Sequence, residues 1–135
     1  MNIDFFSFRG KFDNRAITSG VYKVDLINSK KSTPLCLYIG ESVWMASRCG
    51  RHLFALKNNP DYFGLTDENM QDECLTLKFS VVEVINTEKK NDVKLYKEKE
   101  LDAIQKYKPL TQGESSDKQS RNKSKKVQEA IEKWE

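Results

Sequence analysis

The stretch Leu35–Ser42, LCLYIGES, decides how the rest of the chain is interpreted. Its first five residues are a continuous apolar run, which is typical of a buried strand. Gly40 breaks the run, and Ser42 has the side chain of a helix N-cap. The segment therefore predicts a strand that ends on a tyrosine and a glycine, followed by a helix from about Val43 to Lys57.

The segments around this strand predict an α/β fold. Val21 to Asn28 alternates apolar and polar residues, and the polar turn INSKKSTP joins it to the first stretch as a hairpin. Leu75 to Ile85 alternates in the same way and predicts a third strand. A helix beginning at Asn91 or Asp92 follows and ends near Lys108. We expect a small three-stranded, mainly antiparallel sheet flanked by helices.

The chain is expected to form one domain with two appendages. Residues 1–18 are interpreted as an N-terminal extension, 19–112 as the domain itself and 113–135 as a basic polar tail. The segment TQGESSDKQSRNKSKK is typical of a flexible linker. A short helix from Lys125 to Trp134 should follow it. Its apolar residues at helical spacing would serve docking or dimerisation, or the helix would be a frayed tail; they are Val127, Ile131 and Trp134.

Composition sets limits on the location and partners of the protein. The 135 residues are 38% hydrophobic and 32% charged, and no run approaches the ~18 apolar residues of a membrane span. The N-terminus lacks the pattern of a secretory signal, so we expect a cytoplasmic protein with no membrane partner. Three widely spaced cysteines and one histidine do not make a zinc site.

The basic residues are concentrated near the C-terminus. The net charge is only +3, but residues 118–126 hold five basic side chains and no acidic one. Such a segment is either a solvated surface or a nucleic-acid contact. The candidate contacts are Lys118, Arg121, Lys123, Lys125 and Lys126.

Three polar residues lie beside apolar helix faces. On the helix after the third strand, Glu100 falls within an apolar stripe, where a carboxylate needs a cation or an open cleft. A lysine at the edge of the stripe would also satisfy it. On the first helix, Arg48 and His52 are four residues apart and so adjacent. Histidine there is often a packing residue, but the pairing favours a phosphate site.

Together these residues resemble the GIY-YIG nucleases. The likeness runs from Ser19 to Gln112 and preserves the order strand, strand, helix, strand, helix. Gln112 stands where the family commonly has asparagine. The matching residues are Tyr22 in GVY, Tyr38 in YIG, Arg48 ten residues later, His52 four further on, and Glu100.

The resemblance implies a stand-alone, metal-dependent DNA endonuclease. Glu100 would hold a single Mg²⁺ (or Mn²⁺), and Arg48 would bind phosphate. Tyr22 would orient and deprotonate the attacking water, and Tyr38 would position the nucleophile or the phosphate. Because a phenol is a weak base near neutral pH, positive charge from Arg48, His52 and the metal would have to assist Tyr22.

Three further residues complete the expected site. Gly40 lets the chain turn into the first helix, Gln112 anchors the end of the glutamate helix, and Arg51 contacts DNA. The alternative is a nucleic-acid-binding or regulatory module that keeps this fold with weakened cleavage. Gln112, at a position where the family commonly has asparagine, is the reason for considering it.

Overall fold

The computed structural model describes residues 1–86, 92–112 and 117–135. For residues 117–121 it describes the backbone only. The described strands are β1 (Asn2–Phe5), β2 (Ser7–Phe8), β3 (Lys11–Phe12), β4 (Gly20–Asn28), β5 (Leu35–Ser42) and β6 (Leu75–Val84). The α-helices are α1 (Met45–Asn58), α2 (Asp67–Gln71), α3 (Val93–Tyr107) and α4 (Asp117–Glu132). Two 3₁₀ helices span Asn14–Ile17 and Pro60–Phe63.

The three predicted strands and both predicted main helices are present. β4 lies between β6 and β5 and is antiparallel to each of them. This central position agrees with its burial, which is nearly complete from Gly20 to Leu26. α1 begins after Trp44 rather than Ser42, because Ser42 continues β5. Asp92 caps α3 by accepting a hydrogen bond from the Leu95 amide, whereas Asn91 lies outside the described residues.

The predicted three-stranded sheet is wrong in one respect, because the described sheet has four strands and is mixed. β1 pairs in parallel with β6, which gives the order β1-β6-β4-β5. The cause is apolar burial: Phe6 is 1% exposed, and the rings of Phe5 and Phe6 pack against Phe79. Residues 1–18 are therefore not an appendage, since their first strand completes the sheet.

The predicted flexible linker is also wrong over its second half, because α4 already begins at Asp117. The helix packs on Gly64, whose φ of 73° favours glycine. A Cβ added at Gly64 would lie 2.7 Å from Cγ2 of Val127, so the missing side chain lets α4 approach closely. Gln128 Nε2 also donates a 3.0 Å hydrogen bond to the Gly64 carbonyl.

The apolar residues at the end of the tail dock on the chain's own core. Val127 is fully buried, Ile131 packs against the same cluster, and Trp134 is 6% exposed. Trp134 Nε1 donates a 2.8 Å hydrogen bond to the carbonyl of Thr33. The docking interpretation agrees with the structure. A homodimer through these side chains stays a prediction, and it would require them to leave the core.

Helices cover both faces of the sheet. The larger buried cluster joins α1 and the end of α4 to the face that carries Tyr22 and Val24. The smaller cluster joins α3 to the opposite face through Val21, Ile39 and Ile85. The edge strand β5 contacts both α1 and α3.

Candidate active site

Two tyrosines and a histidine form a hydrogen-bonded chain in the larger core. The Tyr22 hydroxyl, from β4, lies 2.7 Å from Nε2 of His52 on α1. The other ring nitrogen, Nδ1, lies 2.7 Å from the hydroxyl of Tyr62 in the second 3₁₀ helix. A neutral imidazole donates through one nitrogen and accepts through the other, so one phenol donates to His52 and the other accepts from it.

A bulge in β5 brings Tyr38 to this cluster. Val24 pairs with Tyr38 while Asp25 pairs with Cys36, so Leu37 is an extra, bulged residue. The bulge places Leu37 and Tyr38 in succession on the α1 side of the sheet, where Tyr38 packs with the larger cluster. The Tyr38 ring meets the His52 ring edge to face, with centroids 5.3 Å apart.

Gly40 provides the space that Tyr22 needs. A Cβ at Gly40 would lie 2.5 Å from Cζ of Tyr22 and 3.0 Å from Cε2 of Tyr38. Any other side chain would therefore push the two phenols away from the strand. The predicted role of Gly40 in the turn toward α1 is wrong, because β5 continues through this residue to Ser42. The glycine instead allows the close approach of the two rings.

Burial sets the protonation states of the cluster. It raises the pKa of Tyr22 well above the ordinary value for a phenol, and the positive charge of Arg48 opposes that rise. Burial lowers the pKa of His52 to about 4, and the charge of Arg48 adds to the effect. The predicted cationic His52 is therefore wrong, because the ring is neutral near neutral pH. Arg48, exposed on α1, supplies the positive charge at the phenols.

Glu100 lies beside a second carboxylate on α3's side of the site. Burial raises the pKa of Glu100, Lys97 opposes the rise, and the charge of Glu41 adds to it. Lys97 Nζ lies 3.3 Å from Glu41 Oε1 and 3.8 Å from Glu100 Oε1, so one cation joins both acids. This is the lysine that the sequence allowed as an alternative partner for Glu100.

Glu100 also acts on the tyrosine cluster. Burial is the main reason that the pKa of Tyr38 is raised, and the charge of Glu100 is the next. The structure therefore places the carboxylate within electrostatic reach of a phenol that packs against His52. All five predicted catalytic residues lie in this region; they are Tyr22, Tyr38, Arg48, His52 and Glu100.

Gln112 holds the segment after α3 against the site strand. Its Oε1 accepts a 3.2 Å hydrogen bond from the amide of Ile39, between Tyr38 and Gly40. The preceding Thr111 is 3% exposed and donates through both its amide and its hydroxyl to the Leu37 carbonyl. The side chain of Gln112 thus links the segment after α3 to β5.

The predicted DNA-binding residues are only partly near the cluster. Arg51 is exposed on α1, one turn beyond Arg48. Lys123 Nζ donates a 3.1 Å hydrogen bond to the Tyr62 carbonyl and lies 5.6 Å from the centroid of its ring. Lys125 and Lys126 are exposed on α4. The side chains of Lys118 and Arg121 lie outside the described residues.

Tyr62 and Glu41 were not predicted from the sequence, and Lys97 was expected only as an unnumbered lysine at the edge of the apolar stripe. Lys97 precedes Glu100 by three residues, so helical spacing could have identified it. Glu41 directly follows YIG in the quoted stretch. Tyr62 had no such signal, because its contact with His52 depends on the path of the chain after the Asn59-Pro60 turn.

The charged groups present are compatible with a bound magnesium ion. Among the described residues no group of three or more histidine, cysteine, aspartate or glutamate side chains is arranged around a metal position. Mg²⁺, however, is commonly held by one or two carboxylates and completes its shell with water and substrate phosphate. Glu41 and Glu100 offer such a pair, and the Lys97 ammonium already lies against both of them.

Comparison with known proteins gives no match to this chain. No protein-family model, no curated protein and no solved structure matches it significantly. Over the ranges that the structure describes, no helix is both long and apolar enough to cross a membrane.

Proposed function

We propose that this protein is a metal-dependent endonuclease that hydrolyses DNA phosphodiester bonds with a single divalent cation. The observation that carries the proposal is the hydrogen bond between Tyr22 and His52, with Tyr38, Arg48 and Glu100 close by. These are the residues at which the sequence resembles the GIY-YIG nucleases. Their convergence supports the proposal because they come from four different elements: β4, β5, α1 and α3.

The charged residues would divide the work on the phosphate. Arg48 is exposed, and its planar guanidinium is suited to bind two oxygens of a phosphodiester. Glu100, with Glu41 beside it, would hold Mg²⁺ (or Mn²⁺). The bound ion would neutralise the charge that develops on the phosphate in the transition state. Lys97 would have to release the two carboxylates to make this site available.

Tyr22 and His52 would handle the proton of the attacking water. With Nε2 as acceptor, the Tyr22 hydroxyl donates to His52, and His52 Nδ1–H donates to the Tyr62 oxygen. Transfer of the phenolic proton to Nε2 would leave a phenolate that accepts a proton from water. Burial disfavours each charged form alone, but a phenolate and an imidazolium in hydrogen-bond contact offset part of that cost.

One observation favours the second candidate, a nucleic-acid-binding module with weakened cleavage. Tyr22 is 1% exposed, and its pKa is strongly raised, so its hydroxyl is a poor base in this conformation. The endonuclease proposal requires that DNA binding opens a path for water to this hydroxyl. A binding module needs no water at this position.

Incubation of the purified protein with supercoiled plasmid separates the two candidates. The endonuclease should convert the plasmid to nicked or linear forms with Mg²⁺ or Mn²⁺ and leave it intact with EDTA. Retarded plasmid migration without any cleavage in either metal would support the binding module. A protein that neither binds nor cleaves plasmid would contradict both.

A further inference from the structure

The short hairpin before the main sheet has an unusual tip. Phe8 in β2 pairs with Lys11 in β3, so only Arg9 and Gly10 connect the strands. Both have positive φ, 53° and 78°, as a type I′ turn requires. Asparagine, aspartate or glycine usually occupies the first of these positions, whereas arginine there is strained. The turn therefore holds the Arg9 side chain at an exposed tip.

That arginine is part of a cluster around an exposed ring. Phe8 is 53% exposed, with Cζ of Arg9 and of Arg15 lying 5.2 and 5.5 Å from its ring centroid. Lys11 is its cross-strand neighbour. Asp13 binds Arg15 at 2.7 Å and so holds that guanidinium in place. We call Phe8, Arg9, Lys11 and Arg15 the hairpin cluster.

The base of the hairpin is fixed, which gives the cluster a defined position. The Phe12 ring packs edge to face against buried Phe6, with centroids 6.5 Å apart. The Asp13 amide donates a 2.6 Å hydrogen bond to the Phe6 carbonyl. The chain then passes through the first 3₁₀ helix to Thr18, whose carbonyl accepts from Met45 at the start of α1. The hairpin is thus attached to the helix that carries Arg48.

We infer that the hairpin cluster is a DNA-contacting element, in which Phe8 stacks on an unpaired or unstacked base while Arg9 and Lys11 contact the flanking phosphates. An exposed ring flanked by cations provides the stacking face and the positive charge that single-stranded nucleic acid requires. The inference rests on the proposed function in taking DNA as the substrate, but it does not depend on the catalytic residues.

The stacking part is tested with Phe8→Ala against Phe54→Ala. Phe54 is 71% exposed on α1, so its substitution removes a ring of the same kind that lies outside the cluster. Affinity is measured by fluorescence anisotropy with a labelled duplex that contains one unpaired base. Phe8→Ala should weaken binding about tenfold or more, in line with the loss of a stacked base. Phe54→Ala should bind like the wild type.

The phosphate part is tested with Arg9→Gly against Lys31→Ala. Glycine adopts a φ of 53° without strain, so Arg9→Gly should keep or raise the melting temperature while DNA affinity falls. The log-log slope of affinity against salt should decrease by ~0.9 for one lost phosphate contact. Lys31→Ala removes an equal charge from the exposed β4–β5 turn and should not change the slope.

The outcomes separate this inference from the proposed function. Weaker binding by Phe8→Ala and Arg9→Gly, with unchanged binding by the two controls, supports the hairpin contact. This holds even if the wild type cleaves no DNA, a result that would contradict the endonuclease proposal alone. Wild-type affinity in both hairpin variants overturns the inference, even if plasmid cleavage is observed. Equal losses in the hairpin variants and their controls overturn it as well.

Discussion

Tyr22 is the residue whose environment the proposed reaction depends on most. Its hydroxyl contacts His52 at 2.7 Å, Gly40 leaves room for its ring, and Arg48 opposes the rise of its pKa that burial causes. The buried hydroxyl is satisfied by its hydrogen bond to His52, and the same contact offers an acceptor for its proton. The arrangement is expected of a group that must exchange a proton.

Tyr22→Phe should therefore reduce the rate of plasmid cleavage at saturating DNA by ~10²-fold or more, since it removes the group that exchanges the proton. DNA affinity should fall much less, because the hydroxyl is buried and does not contact phosphate. Tyr96→Phe is the matched control, since Tyr96 is 5% exposed in the other cluster. Equal rates for Tyr22→Phe and the wild type would remove Tyr22 from the mechanism.

His52 should make the protein less stable in mild acid. Its folded pKa of about 4 is below its unfolded value of ~6.5, so the unfolded chain binds more protons between these values. The free energy of unfolding should rise with pH across this window, by about 2 to 3 kcal/mol, and level off above ~6.5. Urea unfolding at about pH 7 and pH 4.5 measures the difference.

A His52→Gln variant isolates this effect, because His52 is the only histidine of the sequence. The raised pKa of Glu100 has the opposite sign, since protonation of that carboxylate on acidification relieves its burial. This contribution is common to both proteins. If His52→Gln loses as much stability in acid as the wild type, the histidine is not buried in its neutral form.

At the scale of elements, single local features decide how the secondary structure is placed. The bulge at Leu37 turns Tyr38 toward the α1 side of β5, although simple alternation would put it opposite Leu37. Gly64 lets α4 pack close to the second 3₁₀ helix, which carries Tyr62. Because Gly64 directly follows the 3₁₀ helix that carries Tyr62, the same short segment both receives α4 and holds Tyr62 beside His52.

Trp134→Ala should destabilise the fold by roughly 3 kcal/mol, the cost expected for removing a large buried ring. The side chain is 6% exposed and donates to the Thr33 carbonyl, which would lose its partner. Urea denaturation measures the change, with the exposed neighbour Lys133→Ala as control. A loss below about 0.5 kcal/mol for Trp134→Ala would mean that the end of the tail is not docked in solution.

For the whole molecule, the sequence predicted those parts whose signal is local. Alternation predicted β4 and β6, a continuous apolar run predicted β5, and apolar helix faces predicted α1 and α3. β1 was missed because Asn2–Phe5 is short and its pairing with β6 spans more than seventy residues. Only the second half of α4 was predicted, as a helix from Lys125 to Trp134, and its first half was interpreted as a linker, because the apolar residues of α4 are few and gain their partners only in the folded core.

Part of the candidate site could also be predicted from local signals in the sequence. Its five residues were named from their order and spacing. The neutral state of His52 could not, because it follows from burial beneath the phenols and from the nearby charge of Arg48. Nor could the pairing of Lys97 with Glu41, since it joins α3 to a strand more than fifty residues earlier.

Mg²⁺-dependent plasmid cleavage by Glu100→Gln tests the central proposal most directly. The amide keeps the size of the side chain but loses the negative charge that would hold the ion, so cleavage should fall below detection. The melting temperature should not fall, because burial disfavours the charged carboxylate. Glu98→Gln, 60% exposed on the same helix, should cleave like the wild type. Cleavage by Glu100→Gln at the wild-type rate would contradict the account.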